Sequence, residues 1–126
     1  MKKVSLWLYA GALLAIGVSN PTAARAHSFP EQETPSAGQK VASPPPEVVI
    51  KFDAPVEKLF AKLEVADADG SNQAVGAPLI SDDGRQLSIK VGALKPGDYT
   101  VKWAVVCIDT HHTNGSYIFT VANGGS

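Results

Sequence analysis

Three histidines, His27, His111 and His112, give this chain its most pointed chemistry, because of where they stand. His27 directly follows Ala24-Arg25-Ala26, a small-x-small site of the kind signal peptidase cuts. Cleavage there makes His27 the first residue, so its α-amine and its imidazole can close a chelate ring on one metal ion. Asp109 stands just ahead of His111 and His112, near the end of the last long β segment. An amine, two imidazoles and a carboxylate make a nitrogen- and oxygen-rich set, the kind Cu(II) prefers in tetragonal geometry.

Spacing chooses between the two distal histidines. In an extended segment the side chains at i and i+2 share a face, so Asp109 and His111 are expected to converge on one ion while His112 points away. The expected metal ligands are therefore His27, Asp109 and His111. His112 reads as a solvated residue or one that orients a ligand. Cys107, two residues before Asp109, reads as a small apolar residue buried behind the site; the alternative is a thiol near enough to ligate or reduce copper. Amine and imidazole must both be neutral to bind, so copper uptake should release protons and weaken in mild acid. Asp67, Asp69, Asp82 and Asp83 lack the ordered ligand pattern of a calcium loop and read as exposed turn residues.

The elements that must position these groups begin after the leader. Lys2 and Lys3, the apolar run Val4 to Val18 and the small residues up to Ala26 read as a secretory signal over 1–26. The run is shorter than the ~20 apolar residues a spanning helix needs, so the mature form is expected to be exported and not membrane-spanning. Removing 26 of 126 residues leaves 100, which suits one domain over 27–126. That domain keeps eight basic residues against twelve acidic, a formal charge of −4, which argues against nucleic acid and anionic membrane surfaces as partners. A single cysteine cannot form an internal disulfide, so packing must supply the stability.

Alternation predicts a β protein. Val48, Ile50 and Phe52 form the inward set of one strand, and Leu59, Ala61, Leu63 and Val65 that of the next. Leu87, Ile89 and Val91 follow the Asp82-Asp83-Gly84 turn; Tyr99, Val101, Trp103 and Val105 follow Lys95-Pro96-Gly97. Tyr117, Phe119 and Val121 make a final strand after Asn114-Gly115, and Ser36 to Pro46 reads as a proline-rich connection. Short strands at this spacing predict an all-β, immunoglobulin-like Greek-key β-sandwich. The Pro-Gly-x-Tyr entry to the Trp103 strand resembles the tyrosine corner of such folds.

At the level of motifs the chain resembles the CopC family of periplasmic copper-binding proteins. The resemblance is carried by the N-terminal mature histidine, Thr34-Pro35 and Gly38, Pro-Pro-x-Val-x-Ile-x-Phe from Pro45 to Phe52, Gly97-x-Tyr99-x-Val101-x-Trp103-x-Val105-Val106, and Asp109-Thr110-His111 leading to Gly115-Ser116-x-x-Phe119-x-Val121. It implies a sandwich of about seven strands that binds Cu(II) through His27, Asp109 and His111. It also implies a membrane partner of the CopD type, a copper importer. Many relatives carry a methionine-rich loop for Cu(I), whereas the only methionine here is Met1, and Gly70 to Pro78 offers no soft ligand. A Cu(II)-only version is therefore expected.

The function expected is a non-catalytic periplasmic protein that sequesters or carries Cu(II) in copper homeostasis or resistance. Two other classes stay open. A copper oxidoreductase with an N-terminal histidine chelate would need a larger scaffold than 100 residues and more than the nine aromatics of the precursor. A metal-free immunoglobulin-like interaction domain would take up no copper tightly.

Overall fold

The computed structural model describes residues 28–123. Eight strands run in chain order: β1 (Pro30–Thr34), β2 (Lys40–Val41), β3 (Glu47–Phe52), β4 (Lys62–Ala66), β5 (Ala74–Ile80), β6 (Gln86–Val91), β7 (Gly97–Val106) and β8 (His112–Val121). They form two four-stranded sheets, ordered β1-β3-β6-β5 and β2-β8-β7-β4. Every pairing is antiparallel except β2 with β8, which is parallel. The all-β sandwich expected from the alternation is the architecture found. The strand beyond the expected seven is accounted for by two-residue β2, which lies inside the segment read as a connection.

Apart from Leu59, the inward sets named above meet their counterparts between the sheets. Val48, Ile50 and Phe52 of β3 and Leu87 and Ile89 of β6 are buried from one side; Val65, Val101, Val105 and Phe119 are buried from the other. The Phe52 and Trp103 rings join the sheets edge to face at 5.3 Å between centroids, a favourable geometry for aromatic pairs. At one end Tyr99 stacks on Phe119, and its hydroxyl donates to the Lys95 carbonyl over 2.6 Å. That bond makes Tyr99 a tyrosine corner, fixing the entry to β7 four residues upstream.

Two local expectations differ from the structure, and one strand had none stated for it. Leu59 and Phe60 do not belong to a strand: they are 68% and 75% exposed, and Phe60 has φ 66°. This stretch is the crossover from β3 in one sheet to β4 in the other, so its alternation continues a pattern without facing the core. Asn114-Gly115 is not a turn but lies within β8, where Gly115 faces Trp103 across the hairpin. A Cβ on Gly115 would stand 2.7 Å from the indole, so the position needs glycine for close approach rather than for bending. The segment from Ala74 to Ile80, which overlaps the Gly70 to Pro78 stretch noted for its lack of soft ligands, forms edge strand β5. Its register slips between Val75 and Leu79, around Gly76 and Pro78, a device that blunts an exposed edge.

The element that matters for the site is the hairpin of β7 and β8. Ten residues pair with ten, from Gly97 with Val121 to Val106 with His112, and the turn closing it spans residues 107–111.

Candidate metal centre

The turn is built from the backbone up. The amide of Cys107 donates to the His111 carbonyl at 2.7 Å, and the amide of Thr110 donates to the Cys107 carbonyl at 2.9 Å. Thr110 takes φ 76°, which is uncommon for a threonine and reverses the chain between Asp109 and His111. These two residues therefore do not lie in an extended segment, and strand alternation is not what brings them together. The Asp109 side chain does so instead. Its Oδ1 accepts the His111 backbone amide at 3.2 Å and its Oδ2 lies 2.8 Å from His111 Nδ1.

The chemistry of that pair follows from its acceptor. A carboxylate can only accept, so Nδ1 is the donor, and a neutral ring then carries its lone pair on Nε2. A carboxylate behind one ring nitrogen is the usual means by which proteins orient a metal-binding imidazole and choose its tautomer. The His111 side chain is 61% exposed and that of Asp109 32%, so the pair is open to a solvated ion.

A second strand of chain arrives at the same place. Ser28 is 2% exposed. Its amide donates to Cys107 Sγ at 3.2 Å, its carbonyl accepts from Thr113 Oγ1 at 3.1 Å, and its hydroxyl donates to the Pro55 carbonyl at 3.1 Å. Phe29 continues the arm: its amide donates to Asp53 Oδ1 and its carbonyl accepts the Asp53 amide, each at 2.9 Å. Cys107 and Thr113 flank the turn that holds Asp109 and His111.

The expected ligands thus fall into two groups. Asp109 and His111 are brought together; His27 lies outside the described residues. Among the described residues no group of three or more His, Cys, Asp and Glu side chains could hold a metal ion. His112 starts β8 and lines a shallow cleft with Phe60, Lys62 and Ala104 on the outer face of its sheet, apart from the Asp109 and His111 pair. Cys107 is 1% exposed, and it does not share a strand face with Asp109, because the strand has ended at Val106. Its sulfur also lies 3.8 Å from Thr113 Oγ1, so it is buried as expected but within a polar cluster. Ser28 and Thr113 carry no motif in the sequence. They bond across 85 residues of chain, and no local pattern signals a contact of that separation.

The family model of the CopC domain matches residues 30–122. The chain belongs to the CopC family. Among solved CopC-family structures it is similar to CopC from Methylosinus trichosporium OB3b, with a TM-score of 0.73 and 32% identity over 79% of this chain and 98% of that one. It is also similar to PcoC from Escherichia coli, a methionine-rich copper resistance protein, with a TM-score of 0.67 and 26% identity over 76% of this chain and 99% of that one. Protein YobA of Escherichia coli K12 is 32% identical over 115 residues, 90% of this chain and 92% of YobA. The copper transport protein CutJ of Bacillus subtilis is 28% identical over 129 residues, which takes in 99% of this chain but only 23% of CutJ. Among the described residues no helix is long and apolar enough to cross a membrane.

Proposed function

We propose that this chain is a periplasmic Cu(II)-binding protein that sequesters or carries copper in homeostasis or resistance, without catalysing a reaction on it. Copper is its cargo. The reading rests on family membership, on relatives named for copper resistance and copper transport, and on one observation that carries it at the level of residues. The Asp109 carboxylate turns His111 so that Nε2 is the donor nitrogen, at the turn beside which the arm beginning at Ser28 is bonded.

In this reading residues 1–26 are a signal removed on export, and His27 supplies its new α-amine and its imidazole. His111 supplies Nε2. Asp109 accepts hydrogen bonds from His111 on both oxygens and retains lone pairs with which one of them can ligate. A set of nitrogens and one carboxylate oxygen suits Cu(II). A Cu(I) site would call for thioethers or thiolates: the one methionine is Met1, and the one cysteine, Cys107, is buried with its sulfur accepting a hydrogen bond. Delivery to a membrane copper importer of the CopD type is the partner role we assign, in keeping with the fusion of a like domain to a longer chain in CutJ.

The test is a Cu(II) titration of protein beginning at His27, beside the same protein with its α-amine acetylated, each followed by electron paramagnetic resonance. The free-amine form should bind one ion tightly with a nitrogen-rich tetragonal spectrum, and acetylation should weaken it by about tenfold or more, about 1.4 kcal/mol. Equal affinity of the two forms, or several tight sites, would sink the assignment.

A further inference from the structure

The buried contacts of Ser28 tie the chain just before β1 to two other parts of the molecule. All four backbone polar groups of Ser28 and Phe29 are partnered, and by residues from two separate parts of the chain. The Ser28 amide and carbonyl are held by the side chains of Cys107 and Thr113 in the hairpin; those of Phe29 are held by Asp53 in the crossover after β3. The Ser28 hydroxyl adds a bond to Pro55 of the same crossover. Chain ends ordinarily fray. Here Ser28 and Phe29, just before β1, are fixed by side chains that reach out from elsewhere, and two of those side chains bracket the Asp109 and His111 turn.

We infer that Thr113 and Cys107 are positioning residues for copper: by gripping both backbone groups of Ser28 they fix, beside the Asp109 and His111 turn, the residue from which the chelating terminus of that reading extends. The inference rests on the Cu(II) reading above and adds to it the means by which the two halves of the site are kept together. A chelating terminus on a free arm must lose its conformational freedom when the ion binds, and that cost is taken from the affinity; an arm fixed as far as Ser28 leaves less of it to lose. Thr113 is suited to the part because its hydroxyl donates to the Ser28 carbonyl while lying 3.8 Å from the Cys107 sulfur, which accepts the Ser28 amide. The three residues form a closed, buried group in which loss of one member leaves a backbone group of Ser28 without its partner.

The experiment is a cycle on protein beginning at His27. Thr113→Val keeps the shape of the side chain and removes the hydroxyl; Thr113→Ser restores the hydroxyl; Cys107→Ala removes the acceptor while leaving the backbone bonds of the turn. Each is titrated with Cu(II), with the α-amine free and with it acetylated, and each is checked by near-ultraviolet circular dichroism. With the amine free, Thr113→Val and Cys107→Ala should each weaken Cu(II) by about three- to tenfold, the range expected when one ordered group is released, and should alter the nitrogen hyperfine pattern. Thr113→Ser should recover most of the loss. With the amine acetylated, neither Thr113→Val nor Cys107→Ala should cost anything further, since the grip acts through the terminus; non-additivity of this kind is what a cycle detects. Equal losses in both forms, or no loss in native-like variants, overturn the inference while leaving the copper assignment intact. Acetylation without effect on wild-type binding overturns both.

Discussion

Two aspartate turns sit at opposite ends of the β7 and β8 hairpin, and they put the same side chain to different ends. Asp67 follows β4 at the end where Tyr99 enters the core. Its Oδ1 accepts the amides of Asp69 and Ser71 at 2.9 Å each and its Oδ2 accepts Gln73 Nε2 at 3.0 Å, so the carboxylate closes its own turn. Asp109 at the far end instead turns both oxygens on His111, one toward the backbone amide and one toward the ring. Both are Asx-type turns by composition. The difference is that one carboxylate holds backbone and an amide in place, whereas the other orients an imidazole whose remaining nitrogen can bind an ion.

The largest test of that contrast is a matched pair of substitutions. His111→Ala should weaken Cu(II) binding by about a hundredfold or more, about 2.7 kcal/mol, in competition against a chromophoric chelator. Asp67→Ala should leave that affinity where it was and lower only the denaturation midpoint. A comparable copper loss from Asp67→Ala would erase the distinction between the ends.

Gly115→Ala probes the middle of the hairpin that joins them. A methyl group 2.7 Å from the Trp103 indole must displace the ring or the strand, and overpacking of this kind costs about 1–3 kcal/mol. Urea unfolding should record that loss, while copper affinity measured on the folded fraction changes little. If stability stays at the wild-type value, β8 does not press on the indole as described.

The smallest effect belongs to the Tyr99 end. Tyr99→Phe removes the hydroxyl bond to Lys95, worth about 0.5–1.5 kcal/mol, and should not touch copper binding. The bond also has a pH signature. Burial pushes the Tyr99 phenol above its ordinary value, so the folded state holds the proton more tightly than the unfolded chain does. The stabilisation is whole below the ordinary tyrosine pKa of about 10 and is lost as pH rises through the higher folded value. The gap in stability between wild type and Tyr99→Phe should therefore be constant from neutrality to about pH 9 and narrow in stronger alkali. A gap that widens with alkali would mean that folding lowers the pKa of the phenol instead of raising it.

Local pattern was enough to specify the sheets but not their margins. Alternation in 48–52, 87–91, 99–105 and 117–121 marks the core faces, because an inward residue in a sandwich recurs with period two along the strand. That rule failed at Leu59, where the chain was crossing between sheets, and turn chemistry misleads at Gly115, a glycine set by the ring opposite it. Alternation also gave the wrong route to the distal pair: Asp109 and His111 meet through a reversal at Thr110 and a side-chain hydrogen bond, not through a shared strand face.

What the sequence determined alone is the inventory of donors, the alternating faces that make a two-sheet core, and the residue types at which the chain turns. These depend on neighbours within a few positions, so one dimension suffices to write them. Which parts of the chain meet was decided by the tertiary structure. Ser28 lies against Cys107 and Thr113 only because β1 pairs with β3 in one sheet, while the hairpin of the other sheet ends beside the crossover that follows β3. A contact over 79 to 85 residues carries no period and no spacing, since the energy that forms it comes from burying both sheets at once.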